Sequence, residues 1–224
     1  MSRGKLIVFE GAEGAGKTTQ IRGLGDRLKS RGISTATFRE PGGTPIGDAI
    51  RSIVLAQDGD ITPAAEALLF MASRAELLSR EVRPALERGE TVILDRFFLS
   101  TYAYQIGGRG LAEADVRAAN HLATSGLTPD ITILLDISAS EGMERAARRG
   151  GRDRVEKAGD SFHERVNAAF ASFTSEDWQR EHPECGRIVR IDGVGTEAAI
   201  AARIDAALAS VLETPGARAA GARA

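Results

Sequence analysis

Residues 11–18 read Gly11-Ala12-Glu13-Gly14-Ala15-Gly16-Lys17-Thr18 and fit the pattern G-x-x-x-x-G-K-[ST]. A short apolar run, Leu6-Ile7-Val8-Phe9, precedes it and is long enough for a buried strand. After it, residues 18–31 place Ile21, Leu24 and Leu28 at helical spacing. Strand, glycine loop and helix are the context in which this pattern holds phosphates. Glycines let successive backbone N–H groups turn inward around an anion, and the helix N-terminus adds partial positive charge. Lys17 reaches outer phosphates from such a loop, and the Thr18 hydroxyl suits a Mg²⁺ shell. A plain glycine-rich turn with one exposed lysine is the ordinary alternative. The match at every fixed position and on both flanks argues against it.

A chain of 224 residues with 42% hydrophobic content supports one sizeable α/β domain, expected over residues 1–213. The net charge of −2 does not suggest a nucleic-acid surface. No stretch approaches the ~20 apolar residues of a membrane span. A single cysteine, Cys185, excludes an internal disulfide and fits a reducing compartment, so a cytoplasmic protein is expected. His121, His163 and His182 lack metal-ligand spacing and read as solvated surface.

Strands are expected at residues 6–9, 34–38, 91–94, 131–135 and 188–191, separated by helical segments. Thr62-Pro63 opens a helix that bends or restarts near Pro84 and closes at Gly89. Ser138 and Glu141 form a capping box for a helix ending near Arg149. Residues 161–182 read as one helix, and Thr196 caps the last, which carries Ile200, Ile204, Leu208 and Val211 on one face. Alternation of this kind implies a five-stranded parallel sheet covered by helices on both faces, with ligands at the C-terminal strand ends. Residues 214–224, rich in Ala, Gly and Arg, read as a disordered tail.

The glycine loop, Arg39 to Gly43 and Asp95-Arg96 converge on those strand ends by chain order. Asp95 is placed to hold a Mg²⁺ shell, although a strand-end aspartate can also cap the next helix. Phosphoryl transfer needs positioning and positive charge more than covalent chemistry, so arginines are the residues to follow. Arg39, Arg51, Arg74 and Arg96 lie in segments leading to or from one sheet edge. Arg145, Arg148, Arg149, Arg152 and Arg154 crowd the next helix end and loop. That crowd reads as a short lid over residues 148–160, with a solvated charged face as the plain alternative.

The loop Phe9 through Thr19 resembles that of the thymidylate kinases. So do Arg39-Glu40-Pro41-Gly42-Gly43-Thr44-Pro45-Ile46-Gly47, Asp95-Arg96 with Ser100-Thr101-Tyr102-Ala103-Tyr104-Gln105, and Gly107-Gly108-Arg109-Gly110. The likeness runs from about Leu6 to Leu212. It implies the P-loop NTPase fold, a homodimer, and transfer of the ATP γ-phosphate to dTMP, giving dTDP. It further implies that ATP lies on Gly11, Ala12, Glu13, Gly14, Ala15, Gly16, Lys17, Thr18 and Thr19, with Mg²⁺ at Thr18 and Asp95. Glu13 is expected at the deoxyribose 3′-hydroxyl, and Arg51 and Arg96 at the acceptor phosphate. Phe70 is expected to stack on thymine and Arg74 to donate to a thymine carbonyl. Thr101 and Gln105 are expected near the base and Tyr104 beside the sugar. Spacing alone puts Phe70 and Arg74 on one helix face. Ordinary core packing accounts equally for Phe70, as does half-buried packing for Tyr104.

Three positions depart from the family pattern. Phe97 stands where Tyr or His is usual, Gly14 where one subgroup carries an arginine, and the lid run Arg148 to Arg154 is only similar. Without an arginine at Gly14, a lid residue is expected to reach the transferring phosphoryl group, Arg149 first and Arg152 or Arg148 next. A GTPase switch is excluded because no Asn/Thr-Lys-x-Asp motif occurs. A P-loop kinase with another acceptor shares all this phosphate chemistry and is the remaining alternative.

Overall fold

The computed structural model describes residues 3–56, 60–138, 140–142, 144–145, 154–155 and 158–212. Five strands form one parallel sheet: β1 Leu6–Glu10, β2 Thr35–Arg39, β3 Thr91–Asp95, β4 Ile131–Asp136 and β5 Ile188–Asp192. Their spatial order is β2-β3-β1-β4-β5. In a parallel sheet the central strands are covered on both faces, so they need continuous apolar runs. β1, β3 and β4 supply them and are buried almost throughout, while the edge strands β2 and β5 are only partly buried.

Alternate side chains along each strand feed opposite faces. Leu6 and Val8 of β1 join Val92, Leu94 and Leu134 in one core. Ile7 and Phe9 join Ile93, Ile131 and Ile133 in the other. The second core is roofed by α1 (Lys17–Ser30) and by the C-terminal helix, whose Ile200, Ile204 and Leu208 are buried along one face as the spacing predicts.

The first face carries the remaining helices. α2 spans Pro45–Leu55, with the Thr44 hydroxyl accepting from Gly47 N–H at its start. α3 spans Pro63–Leu77 and runs through a π-helical turn, Leu78–Val82, into α4, Arg83–Glu87. That widened turn is the expected break near Pro84: proline has no N–H to continue the ladder. Thr62 stands at the α3 N-cap position without a side-chain cap bond; Pro63 at the first helical position marks the start. α5, Phe98–Thr101, leads into a second π-helical segment, Tyr102–Gly108. α6 spans Glu113–Thr124.

The single helix expected over residues 161–182 is two: α7, Asp160–Ser172, and α8, Glu176–Glu181. Ser175 starts the second by accepting from Trp178 N–H, because a short hydroxyl side chain favours a cap over helix interior. The C-terminal helix, Glu197–Leu212, is therefore α9. Ser138 Oγ accepts from Glu141 N–H at 3.2 Å, so the cap after β4 forms. Residues 146–153, which carry Arg148, Arg149 and Arg152, lie outside the described residues, as does the tail 213–224.

Histidine provides one correction. His182 is buried rather than solvated. Its ring stacks on Trp178 at 3.8 Å, with Nε2 3.0 Å from Glu113 Oε1 and Nδ1 2.8 Å from Trp178 O. His163 is half-buried against the Phe162 ring, and His121 is exposed.

Candidate functional site

A cavity of about 660 Å³ opens at the C-terminal ends of β1, β2 and β3. Its lining joins the glycine loop to α1, α2, α3 and the segment after β3. One end is main chain. Gly11 and Gly14 have φ of 141° and 74°, and Gly16 caps α1 at 88°. A Cβ on Gly14 would sit 2.2 Å from Gly142 O, so the loop and the helix after β4 approach through bare backbone. α1 begins without a side-chain cap, which leaves its first N–H groups for an anion.

The Lys17 side chain turns back onto its own loop. It is buried, and its Nζ donates to Gly11 O at 2.8 Å and Ala12 O at 3.0 Å. Burial, with the neighbouring Arg96 charge, pulls its pKa down to about 8. Thr18 is exposed at the cavity and Thr19 half-buried beside it.

Beyond β3 the backbone turns sharply at Arg96, whose φ of 70° is uncommon for a residue with a Cβ. Glu10, fully buried at the end of β1, holds this turn. It accepts from Phe97 N–H at 2.7 Å, Ser100 N–H at 3.0 Å and the Ser100 hydroxyl at 2.6 Å. The Arg96 guanidinium then lies in the cavity. It pairs with Glu13, donates to Ser100 Oγ at 2.9 Å, and sits 5.3 Å from the Tyr104 ring centroid. Tyr104 donates its hydroxyl to Glu13 Oε1 at 3.3 Å. Asp95 lines the same space, and its buried Oδ1 has no hydrogen-bond partner among the described residues.

The far wall is built from side chains. Phe70 is half-buried, lines the cavity and belongs to neither core, so ordinary core packing does not account for it. Arg74 is 3% exposed with its donors committed: Nε and NH2 to Glu40 Oε2 at 2.8 and 2.5 Å, NH2 to Phe97 O at 2.8 Å, and NH1 to Thr101 Oγ1 at 3.0 Å and to Asn120 Oδ1. Its Cζ stands 4.8 Å from the Phe97 ring centroid, so the phenyl ring at this position serves as a cation–π face. Burial raises the Glu40 carboxyl despite the Arg74 charge beside it. Arg51 also lines the cavity and donates to Pro41 O at 2.9 Å. Thr101 and Gln105 are buried and line the same wall, Thr101 through its contact with Arg74.

Every site residue predicted from the sequence within the described part lies on this cavity or, for Gly11 and Ala12, in the loop that forms its floor. Of the arginine crowd, Arg145 lines the cavity and pairs with Glu141. Arg154 does not join it there. Its guanidinium donates to Glu66 Oε2 at 2.5 Å and Val54 O at 3.0 Å. Sequence reasoning missed Glu10, Glu40, Glu66 and Asn120. Glu66 was visible as a charge one turn before Phe70 on the same helix face; Glu10 was visible as a charge ending a buried strand.

The thymidylate kinase family profile matches residues 9–181. Thymidylate kinase of Deinococcus radiodurans is 45% identical over 208 residues, which cover 93% of this chain and 98% of that protein. Thymidylate kinase of Bdellovibrio bacteriovorus is 44% identical over 193 residues, covering 80% and 90%. That of Alkalilimnicola ehrlichii is 41% identical over 214 residues, covering 95% of each.

Proposed function

The chain belongs to the thymidylate kinase family, and on that premise we propose that it transfers the γ-phosphate of ATP to dTMP, yielding dTDP and ADP. The observation that carries the reading is the single cavity joining a phosphate cradle to a wall bearing Phe70, Arg74 and Gln105.

In this reading the ATP phosphates lie on the loop amides of Gly11 to Thr18 and draw Lys17 away from its own carbonyls. An acceptor phosphate oxygen attacks the γ-phosphorus as the bond to the β–γ bridging oxygen breaks. Arg51 and Arg96 hold the acceptor phosphate, so positive charge flanks the reacting groups from both sides. Glu13 accepts from the sugar 3′-hydroxyl and keeps Arg96 oriented. Phe70 stacks on the base, and Tyr104 closes the space beside the sugar. For Arg74 to donate to a base carbonyl, it must exchange Thr101 or Asn120, because its five N–H groups are already engaged.

The residues fit Mg²⁺: Thr18 supplies a hydroxyl and Asp95 a carboxylate oxygen that lacks a partner among the described residues. No cluster of three or more acidic, His or Cys ligands occurs among the described residues, which suits an ion that keeps waters and phosphate oxygens. When bound, Mg²⁺ supplies charge neutralisation on the transferred phosphate.

The proposal includes a homodimer in the cytoplasm. Ile46 and Ile53 of α2, Leu68 of α3 and Leu122 of α6 are exposed on helices that pack side by side, and they support a self-associating face. Among the described residues, no helix is long and apolar enough to cross a membrane. The test is a coupled assay with ATP against a panel of nucleoside monophosphates. dTMP is expected to be turned over best, dUMP less well, and UMP and CMP poorly; faster turnover of dCMP or of a free nucleoside would overturn the proposal.

A further inference from the structure

Glu66 is 1% exposed on α3 and is bound by three side chains from two other parts of the chain. Its Oε1 accepts from Gln105 Nε2 and Arg109 Nε, each at 3.1 Å. Its Oε2 accepts from Arg109 NH2 at 2.9 Å and Arg154 NH2 at 2.5 Å. Burial opposes ionisation here, but the hydrogen bonds from Arg109 and Arg154 outweigh it and hold the carboxyl below its usual range. With its pKa below the usual carboxylate range, Glu66 is ionised at neutral pH and is there an acceptor only.

That has a chemical consequence for Gln105. A glutamine amide has a donor end and an acceptor end, and rotation exchanges them at small steric cost. Facing an ionised carboxylate, only the NH₂ end is allowed. The carbonyl end is then the one left for a ligand in the cavity that Gln105 lines. We propose that Glu66 is a positioning residue that fixes the polarity of Gln105, so that the site offers a carbonyl oxygen to the base and selects a pyrimidine carrying a ring N–H. Thymine and uracil have that N–H between two carbonyls; cytosine has a bare acceptor nitrogen there and would be repelled. The inference rests on the functional reading above, which puts the base beside Gln105. The two partly exposed guanidinium groups keep the nearly fully buried Glu66 charged.

The test is Glu66→Gln, assayed for kcat/KM on dTMP and dCMP at saturating ATP. A neutral amide at 66 can face Gln105 with either end, so both polarities become available. The preference for dTMP over dCMP is expected to fall about tenfold or more, since a site built to bond one group rejects its absence strongly. The loss should lie in the dTMP KM, with the ATP KM held within about twofold, a split that general loosening would not give. A preference retained within about twofold would overturn the inference. If the unaltered enzyme did not turn over dTMP, the functional reading would fail instead, and this inference with it. Should Glu66→Gln not fold, the unaltered enzyme still decides. In ¹⁵N spectra, the Gln105 side-chain NH₂ pair, assigned by its loss in Gln105→Met, should stay protected from solvent exchange with and without dTMP. Exchange at the rate of a free amide would overturn it.

Discussion

The two ends of the cavity are built on opposite plans. The phosphate end is backbone: glycine N–H groups, a helix start, and Lys17 resting on Gly11 and Ala12 carbonyls. The acceptor end is side chain: Arg74, Glu40, Glu10 and Glu66 are buried charges, each held by groups from distant segments. Backbone dipoles are already part of the fold and need no matching side chain. Buried charges must be matched one by one, and each match removed leaves another stranded. Changes at the acceptor end should therefore register first as lost stability, and changes at the phosphate end as lost rate.

The sharpest way to break that contrast is Arg74→Ala. It strands Glu40 and removes the partner of Asn120, and loss of one member of a buried pair costs about 3–5 kcal/mol. The expected fall in Tm is about 8 °C or more for a chain of this size, read by calorimetry. A Tm within about 2 °C of the parent would show that Arg74 is not structural. Lys17→Ala should do the reverse. kcat is expected to drop about a hundredfold, from ~3 kcal/mol of lost transition-state charge, with no fall in Tm, because a buried lysine held below its ordinary pKa does not stabilise the fold at neutral pH. Near-parental turnover would remove the loop from the mechanism.

Glu10 lies between the plans, because its carboxylate shapes backbone that then aims Arg96. Glu10→Gln should cost about 2 kcal/mol of stability and also raise the acceptor KM. Lost stability with an unchanged KM would detach Glu10 from the site. The mildest test uses no substitution. With its pKa lowered to about 8, Lys17 is charged below that pH and neutral above it. kcat/KM for ATP should fall about fourfold between pH 7 and 8.5, and Lys17→Arg should flatten the profile. Since the unfolded chain keeps the Lys17 proton up to the ordinary 10.5 while the native state releases it near 8, this residue makes stability rise with pH in that window.

The same contrast explains what could be read from residues alone. The glycine loop is contiguous, so its pattern carries its own geometry, and strands over residues 6–9, 91–94 and 131–135 followed from apolar runs; each runs one residue further, to Glu10, Asp95 and Asp136. Phe70 and Arg74 were singled out by the family resemblance, and helical spacing alone puts them on one face. The partners of Arg74 were not legible as such: Glu40, Asn120 and Thr101 reach Arg74 from three other segments, and no local spacing links them. Arg154 illustrates the limit. Its place in an arginine-rich run suggested phosphates, yet Glu66, far off in the chain, holds it. The break between α7 and α8 was hidden because residues 161–182 are helix-compatible throughout and only the Ser175 cap ends them.

The contact between Gly14 and Gly142 bears on how such a site can change over generations. A side chain at Gly14 meets Gly142 O, and one at Gly142 would sit 2.6 Å from Glu13 O. Neither position can take a larger residue while its neighbour stays where it is. An arginine inside the loop, as one branch of the family carries, is therefore not one step away from this chain. It lies behind a backbone rearrangement of the helix after β4, and the intermediate with only the loop altered would have a distorted phosphate cradle. The close approach of the two backbones thus fixes glycine at both positions together.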